Sequence, residues 1–264
     1  MHRLVLASGK GGVGTSIVAA LTALSAAERD VRVLLVDATE ASGTQHQLFG
    51  VRPSHSLWSL ADQHMNPEDA LIPLDDTLTL VAGGSSGNAP LPSTDKERRA
   101  ALTRVAHVFS NYDIIIFDGG ARLDTVSALI ETADASLLLV TSADRLALAA
   151  NYALVKAVRS RRPATSISVL ANRHGEALAE EACDFLVGAC SHFLGRTIDV
   201  VGAVPDDPCL QAAIGAGMTV RDALGGSPAA ESMRGILSRV LPSRSTAPRP
   251  TAMTVPSSFS RRWS

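Results

Sequence analysis

Cysteine is scarce, and its spacing pairs with nothing: Cys183, Cys190 and Cys209 form no C-x-x-C motif. A disulfide framework, a zinc site and an iron–sulfur centre therefore find no support, and the three thiols are expected as small buried or half-buried residues. Aromatic residues make up only 4% of the 264, too few for a platform that stacks single-stranded bases. Excess charge is missing too: the formal net charge is −2, so no global basic field recruits nucleic acid or an anionic membrane. No apolar run approaches membrane-spanning length and no signal-type segment opens the chain, so a cytoplasmic protein is expected. The histidines His2, His46, His55, His64, His107, His174 and His192 lack metal-ligand spacing. Neither a G-x-S-x-G elbow nor an H-E-x-x-H helix is present, which leaves serine- and zinc-hydrolase chemistry without a motif.

What is present is an alternation of strands and helices. Leu4 to Ala7, Val31 to Val36, Ile114 to Phe117, Leu137 to Val140, Ser166 to Ala171 and Val200 to Val204 read as strands, most of them continuous apolar runs of the kind buried on both faces. Leu78 to Ala82 alternates like a strand. Helical patterns occupy Ile17 to Glu28, Asp95 to Phe109, Leu146 to Arg159, Leu178 to Phe193, Cys209 to Ile214 and Ala229 to Leu241, with a short helix at Ser56 to Asp62. In Asp95 to Phe109, residues Leu102, Val105, Ala106 and Phe109 fall at core spacing, and Lys96, Arg98, Arg99 and Arg104 are expected to face outward. The fold class is α/β: a mostly parallel twisted sheet with helices on both faces, forming one domain over residues 1–241. Residues 242–264 are rich in Ser, Pro and Arg with no acid, and are expected to be a disordered tail ending in Phe259, Arg261, Arg262 and Trp263.

The stretch Ser8 to Ser16, SGKGGVGTS, sits between the first strand and the first helix. Glycines there let backbone N–H groups curl around phosphate oxygens, and the helix N-terminus adds partial positive charge. Against G-x-x-x-x-G-K-[ST], Gly9, Gly14 and Ser16 fit, but Thr15 stands where lysine is expected. Two strands end in acids, Asp37 after VLLV and Asp118 after IIIF, at the sheet edge where ligands bind in open α/β folds. A strand closed by an acid downstream of such a loop is the Walker B arrangement. Lys10, early inside the loop, is not required by an ordinary Walker motif.

GKGGVG with its early lysine, VLLVDA and YDIIIFDGGA together resemble the deviant Walker A ATPases of the MinD/ParA class, from the first strand to about Leu241. The segment VPDDPCLQAA and the helix NYALVKAVRSR most resemble the flagellar number regulators of the FlhG/FleN type. The resemblance implies ATP and Mg²⁺ as cofactors, a nucleotide-dependent homodimer and protein partners. It implies a phosphate loop of Gly9, Lys10, Gly11, Gly12, Val13, Gly14, Thr15 and Ser16, in which Lys10 reaches across the dimer to the partner's nucleotide. Ser16, Asp37 and Asp118 serve the metal, with Asp37 the first switch acid. Asn172, Pro205 and Asp206 lie where the family contacts adenine. Many flagellar regulators also carry an N-terminal extension that stimulates a signal-recognition-type GTPase; here the strand begins right after Met1, which puts that activity in doubt.

Three positions depart from the pattern. Thr15 replaces the loop lysine, Thr39 stands where a second switch acid is expected, and Arg122 replaces a glycine of the second switch. Losing a charged phosphate donor weakens binding without abolishing it while a backbone nest and Mg²⁺ remain. Losing the water-orienting acid harms turnover more. Glu40 is the candidate stand-in for that acid and Arg122 for the lysine; a solvated loop Glu and Arg are the alternatives.

The reading is an ATP-binding regulator of flagellar number or placement, acting as a nucleotide-responsive dimer with weak or absent hydrolysis. One rival is a nucleotide-independent pseudo-ATPase scaffold in cellulose synthesis or another secretion or envelope machine. Another is an active ATPase using Glu40 and Arg122. A specific nucleic-acid partner is not expected, because no basic arm or helix-turn-helix precedes the domain. Transient membrane contact would fall to the tail or to the stripe Met233, Ile236, Leu237, Val240 and Leu241, for which core packing is the alternative.

Overall fold

The computed structural model describes residues 1–40, 43–84, 91–173 and 175–241. The expected tail at 242–264, most of the Gly83 to Pro92 loop and His174 lie outside the described residues.

In chain order the elements are β1 (His2–Ala7), α1 (Thr15–Ala27), β2 (Val33–Asp37), α2 (Gln45–Leu48), β3 (Leu71–Pro73), β4 (Leu78–Val81), α3 (Asp95–Val105), β5 (Ile114–Asp118) and α4 (Leu123–Ala133). Then follow β6 (Ser136–Thr141), α5 (Arg145–Arg161), β7 (Ile167–Asn172), α6 (Glu176–Leu194), β8 (Asp199–Val204), α7 (Pro208–Gly215) and α8 (Pro228–Val240). The eight strands form one sheet in the order β3-β4-β2-β5-β1-β6-β7-β8, parallel except for the β3–β4 pair. This is the α/β class expected from the alternation of strand and helix patterns.

Strand periodicity divides the interior into two cores. In β2, Leu34 and Val36 join one face with α3, α4, α5, α6 and the 3₁₀ turn Leu57–Ala61, while Val33 and Leu35 join the other with α1 and α8. Because helices cover both sides, every residue of β2 is buried, which is why it reads as a continuous apolar run. Helix α1 is apolar nearly all round, since the sheet lies on one side of it and α8 on the other. The stripe Met233, Ile236 and Leu237 of α8 is buried there, with Thr22 Oγ1 3.5 Å from Met233 Sδ, so it packs on the core and does not face outward. Among the described residues no helix is long and apolar enough to cross a membrane.

The expected helix at Asp95 to Phe109 divides into α3 and a 3₁₀ segment, Ala106–Asn111. A capping box starts α3: Glu97 N–H donates to Thr94 Oγ1 at 3.2 Å and Thr94 N–H to Glu97 Oε2 at 3.2 Å. Arg98 corrects the expectation of an outward face, for it is only 4% exposed. Cys209 is exposed, unlike buried Cys183 and Cys190, and so departs from the expected burial. The short elements α2 and β3 had no periodic signal, being four and three residues long.

Candidate functional site

The strand order places β5 between β2 and β1, so the carboxyl ends of three neighbouring strands converge. From β1 issues the loop Ser8 to Gly14; β2 ends in Asp37 and β5 in Asp118, and strand register sets these two acids directly opposite each other.

The loop is seated on α5. Gly9 N–H donates to Asn151 Oδ1 at 2.7 Å, Ser8 Oγ lies 3.3 Å from the same oxygen, and Asn151 Nδ2 donates to the Val140 carbonyl at 3.2 Å. A side chain at position 9 would overlap the backbone of Ala150, so only glycine permits this approach. Gly14 adopts φ +90 as the N-cap of α1, and the Val13 carbonyl before it accepts from Asn172 Nδ2 at 2.8 Å. Thr15 and Ser16 open the helix. Their N–H groups belong to the first turn, which has no intrahelical acceptors and is suited to an anion.

Lys10 turns sideways. Its Nζ lies 3.0 Å from Oδ1 of Asp144, which also caps α5 by accepting from Ala147 N–H at 3.0 Å. Hydrogen bonds from Ser142, then from Lys10, hold the Asp144 carboxyl well below the usual carboxylate range. Both partners are partly exposed, so the pair is worth little to stability.

The acid pair is fully buried. Asp37 Oδ1 accepts from Thr39 N–H at 3.0 Å and Thr39 Oγ1 at 2.5 Å, and Oδ2 accepts from Thr44 N–H at 2.8 Å and Gln45 N–H at 3.0 Å. Asp118 accepts from Gln45 Nε2 at 2.8 Å, from Gly120 N–H at 3.3 Å and from the Ser16 hydroxyl. Burial, and then the charge of Asp37, push the Asp118 carboxyl up to about 7. Burial also raises Asp37, against the hydrogen bonds it accepts. Two carboxylates buried side by side disfavour double ionisation, so both are pushed upward, with Asp37 the more richly supplied with donors.

Since the folded pKa of Asp118 exceeds the unfolded value, its contribution to stability is full below about pH 4 and is lost as the pH rises through about 7. Asp118→Asn removes this liability. In metal-free buffer at pH 8 the variant should melt several degrees higher than wild type, a gain on the order of 2 kcal/mol, and its Tm should fall less between pH 5 and 8. Thermal scans across that range check it; a lower Tm with an unchanged slope is the opposing result.

Glu40, a candidate stand-in acid, is neither solvated nor free. It is 7% exposed, accepts from Arg98 Nε at 2.7 Å and from Thr125 Oγ1 at 2.5 Å through Oε1, and meets Arg98 Nη2 at 3.4 Å and Arg122 Nε at 3.5 Å through Oε2. Burial alone would raise its pKa, but hydrogen bonds from Arg98 and Thr125 outweigh it and the net direction is down. Arg122 is exposed and sits between Glu40 and Asp124. The two candidate substitutes thus pair with each other.

Beside the loop lies a cavity of about 330 Å³ lined in part by Ile17, Leu21, Asn172, Arg173, Val204 and Pro205. Asn172 and Pro205 both line it. Asp206 stays outside its lining, exposed and accepting from Gln211 Nε2 at 2.7 Å. Three residues that sequence reasoning passed over hold the site in shape: Asp144, Asn151 and Gln45. Only Asp144 carried a signal, an acid directly before a helical pattern, as a cap would be.

The residues fit a magnesium-bound nucleotide in chemistry. Hard oxygen donors, Ser16 Oγ and two carboxylates, suit Mg²⁺, and Gln45 Oε1 is a buried acceptor with no partner beside them. Residues 4–220 match the family described as the CobQ/CobB/MinD/ParA nucleotide binding domain. The chain is similar to the antiactivator FleN of Pseudomonas aeruginosa, at 23% identity over 239 residues, 90% of this chain and 85% of that protein. It is also similar to the flagellum site-determining protein YlxH of Helicobacter pylori, at 24% over 153 residues, 58% of this chain and 52% of that one. In fold it matches the septum site-determining protein MinD complexed with Mg-ADP from Pyrococcus horikoshii, with a TM-score of 0.70 at 18% identity over 90% of this chain and 96% of that one.

Proposed function

Because the chain belongs to the CobQ/CobB/MinD/ParA nucleotide-binding family, we propose that it is an ATP-binding regulator of flagellar number or placement that dimerises with nucleotide and hydrolyses it slowly or not at all. The observation that carries this reading is the convergence of the loop Gly9 to Ser16 with the Asp37–Asp118 pair, in a site where Thr15 and Thr39 bring no charge. Similarity to FleN over most of both chains supports the flagellar assignment. In this reading residues 1–241 are the working domain and 242–264 an appendage.

Ser16, Asp37 and Asp118 would hold Mg²⁺, which would supply positive charge to offset that of the phosphates. The first-turn amides of α1 and the glycine loop bind phosphate, and Asn172 and Pro205 orient the base in the adjoining cavity. Thr39 donates its hydroxyl to Asp37 and offers no carboxylate for an attacking water. Lys10 reaches a partner's nucleotide only by leaving Asp144.

Light scattering with Mg-ATP and with Mg-ADP tests the switch. Wild type should form dimers with millimolar Mg-ATP, and Lys10→Ala should stay monomeric in both. A wild-type chain that stays monomeric and binds no millimolar nucleotide by calorimetry overturns the reading. One observation favours the scaffold reading, namely that both oxygens of Glu40 are committed to basic side chains and unavailable to water. A scaffold would keep its cellular role in the Lys10→Ala variant.

A further inference from the structure

Gln45 stands at the start of α2 and is fully buried. Its backbone N–H donates to Asp37 Oδ2 at 3.0 Å, so the residue is anchored to one member of the acid pair. The side-chain Nε2 donates to the other member, Asp118 Oδ2, at 2.8 Å, and to the Ser16 carbonyl in the first turn of α1 at 2.9 Å. One residue thereby ties together the three places from which a metal would be held. The amide cannot be turned over: with Nε2 and Oε1 exchanged, the carbonyl oxygen would face the Ser16 carbonyl, which has no proton to give. Both Nε2 protons are therefore spent, and Oε1 is left buried with no hydrogen-bond partner. A buried acceptor left empty is unfavourable, and in folded proteins such an atom commonly belongs to a water or an ion.

We propose that Gln45 is a positioning residue for the divalent metal, its Nε2 holding Asp118 and the α1 turn at metal-ready spacing and its Oε1 accepting a hydrogen bond from a metal-bound water. This rests on the reading of Ser16, Asp37 and Asp118 as the metal site. Mg²⁺ keeps several of its waters when it binds through few carboxylates, so acceptors beyond the direct ligands hold it in place. Gln45 supplies one without adding a third negative charge to an already crowded acid pair.

The test is the rise in Tm that MgCl₂ alone produces in the full chain, without nucleotide, for wild type, Gln45→Leu and Gln45→Glu. Wild type should gain stability with millimolar Mg²⁺. Gln45→Leu fills a similar volume without polar atoms and should lose most of that rise, with apparent Mg²⁺ affinity about tenfold weaker. Gln45→Glu adds a carboxylate, so it should melt lower than wild type without metal and show a larger rise with it. A side chain that only supports the fold would lower the baseline Tm in both variants and leave the metal-induced rise untouched. That result overturns the proposal, as does a wild-type chain with no rise. If the metal effect behaves as expected while calorimetry detects no nucleotide, the nucleotide-switch reading falls and the role of Gln45 stands.

Discussion

Thr15→Lys tightens Mg-ATP binding by about ten- to a hundredfold, the equivalent of one charge-assisted hydrogen bond of roughly 1.5–3 kcal/mol regained. Every other element of a phosphate loop is in place: Gly9 lies against α5, Gly14 has the left-handed conformation at the N-cap, and Ser16 stands one residue into α1. Position 15 begins the helix itself, where a lysine stem can run along the loop and carry its ammonium to the phosphates. Calorimetric titration with Mg-ATP measures the gain, and Thr15→Met, similar in length but uncharged, should show almost none of it. Turnover should stay slow in the lysine variant, because the carboxylate missing at Thr39 is not restored. Equal affinities for wild type and Thr15→Lys would mean that the loop does not bind phosphate in the expected manner.

Arg98→Ala destabilises the domain by about 3 kcal/mol, because it leaves the buried Glu40 carboxylate with only the exposed Arg122 guanidinium 3.5 Å away and the Thr125 hydroxyl as partners. The side chains are 4% and 8% exposed, so solvent screens the ion pair little. Arg98 also reaches Asp95 one helical turn back, but Asp95 is exposed and adds little. Urea unfolding should show the loss most fully at neutral pH. The lowered pKa of Glu40 means that its contribution is present above the ordinary carboxylate value and disappears as acid protonates it. The double variant Glu40→Leu with Arg98→Met should recover most of the stability, since an apolar pair of similar volume replaces the buried charges. If Arg98→Ala costs no more than a surface substitution, the pair is not closed to water.

The acids and the loop were legible because strand ends and glycine spacing are local signals. Asp37 and Asp118 each close an apolar run, and parallel pairing brings such ends to one edge. Arg98 was misread for a physical reason. It sits in the charged run Lys96 to Arg99, and helical periodicity cannot know that a loop some sixty residues earlier folds a carboxylate against it. Asn151 is hidden in NYALVKAVRSR as one polar residue on the buried side of α5, and its partners lie in β6 and the loop. Gln45 falls in a stretch with no period at all, so nothing marks it before the chain has folded. Between Asp206 and Asp207 the sequence offers no distinction, but Asp207 is buried, capping α7 and accepting from Ser227 Oγ at 2.6 Å, while its neighbour stays in solvent.

The register of Asp37 with Asp118 has a consequence for how the molecule opens. Both acids end strands in the middle of the sheet, flanked by β4 and β1, and paired central strands are generally the last part of a fold to open. Beyond the strand ends the ladder gives way to single contacts: Gly119 N–H donates to the Leu6 carbonyl at 2.8 Å, Ser8 N–H to the Gly120 carbonyl at 3.0 Å and Gly84 N–H to the Thr39 carbonyl at 2.8 Å. Local opening is expected to break such single contacts before it changes the spacing of the two carboxylates. The acid pair is thus anchored in the centre of the sheet, and its surroundings hang on individual bonds.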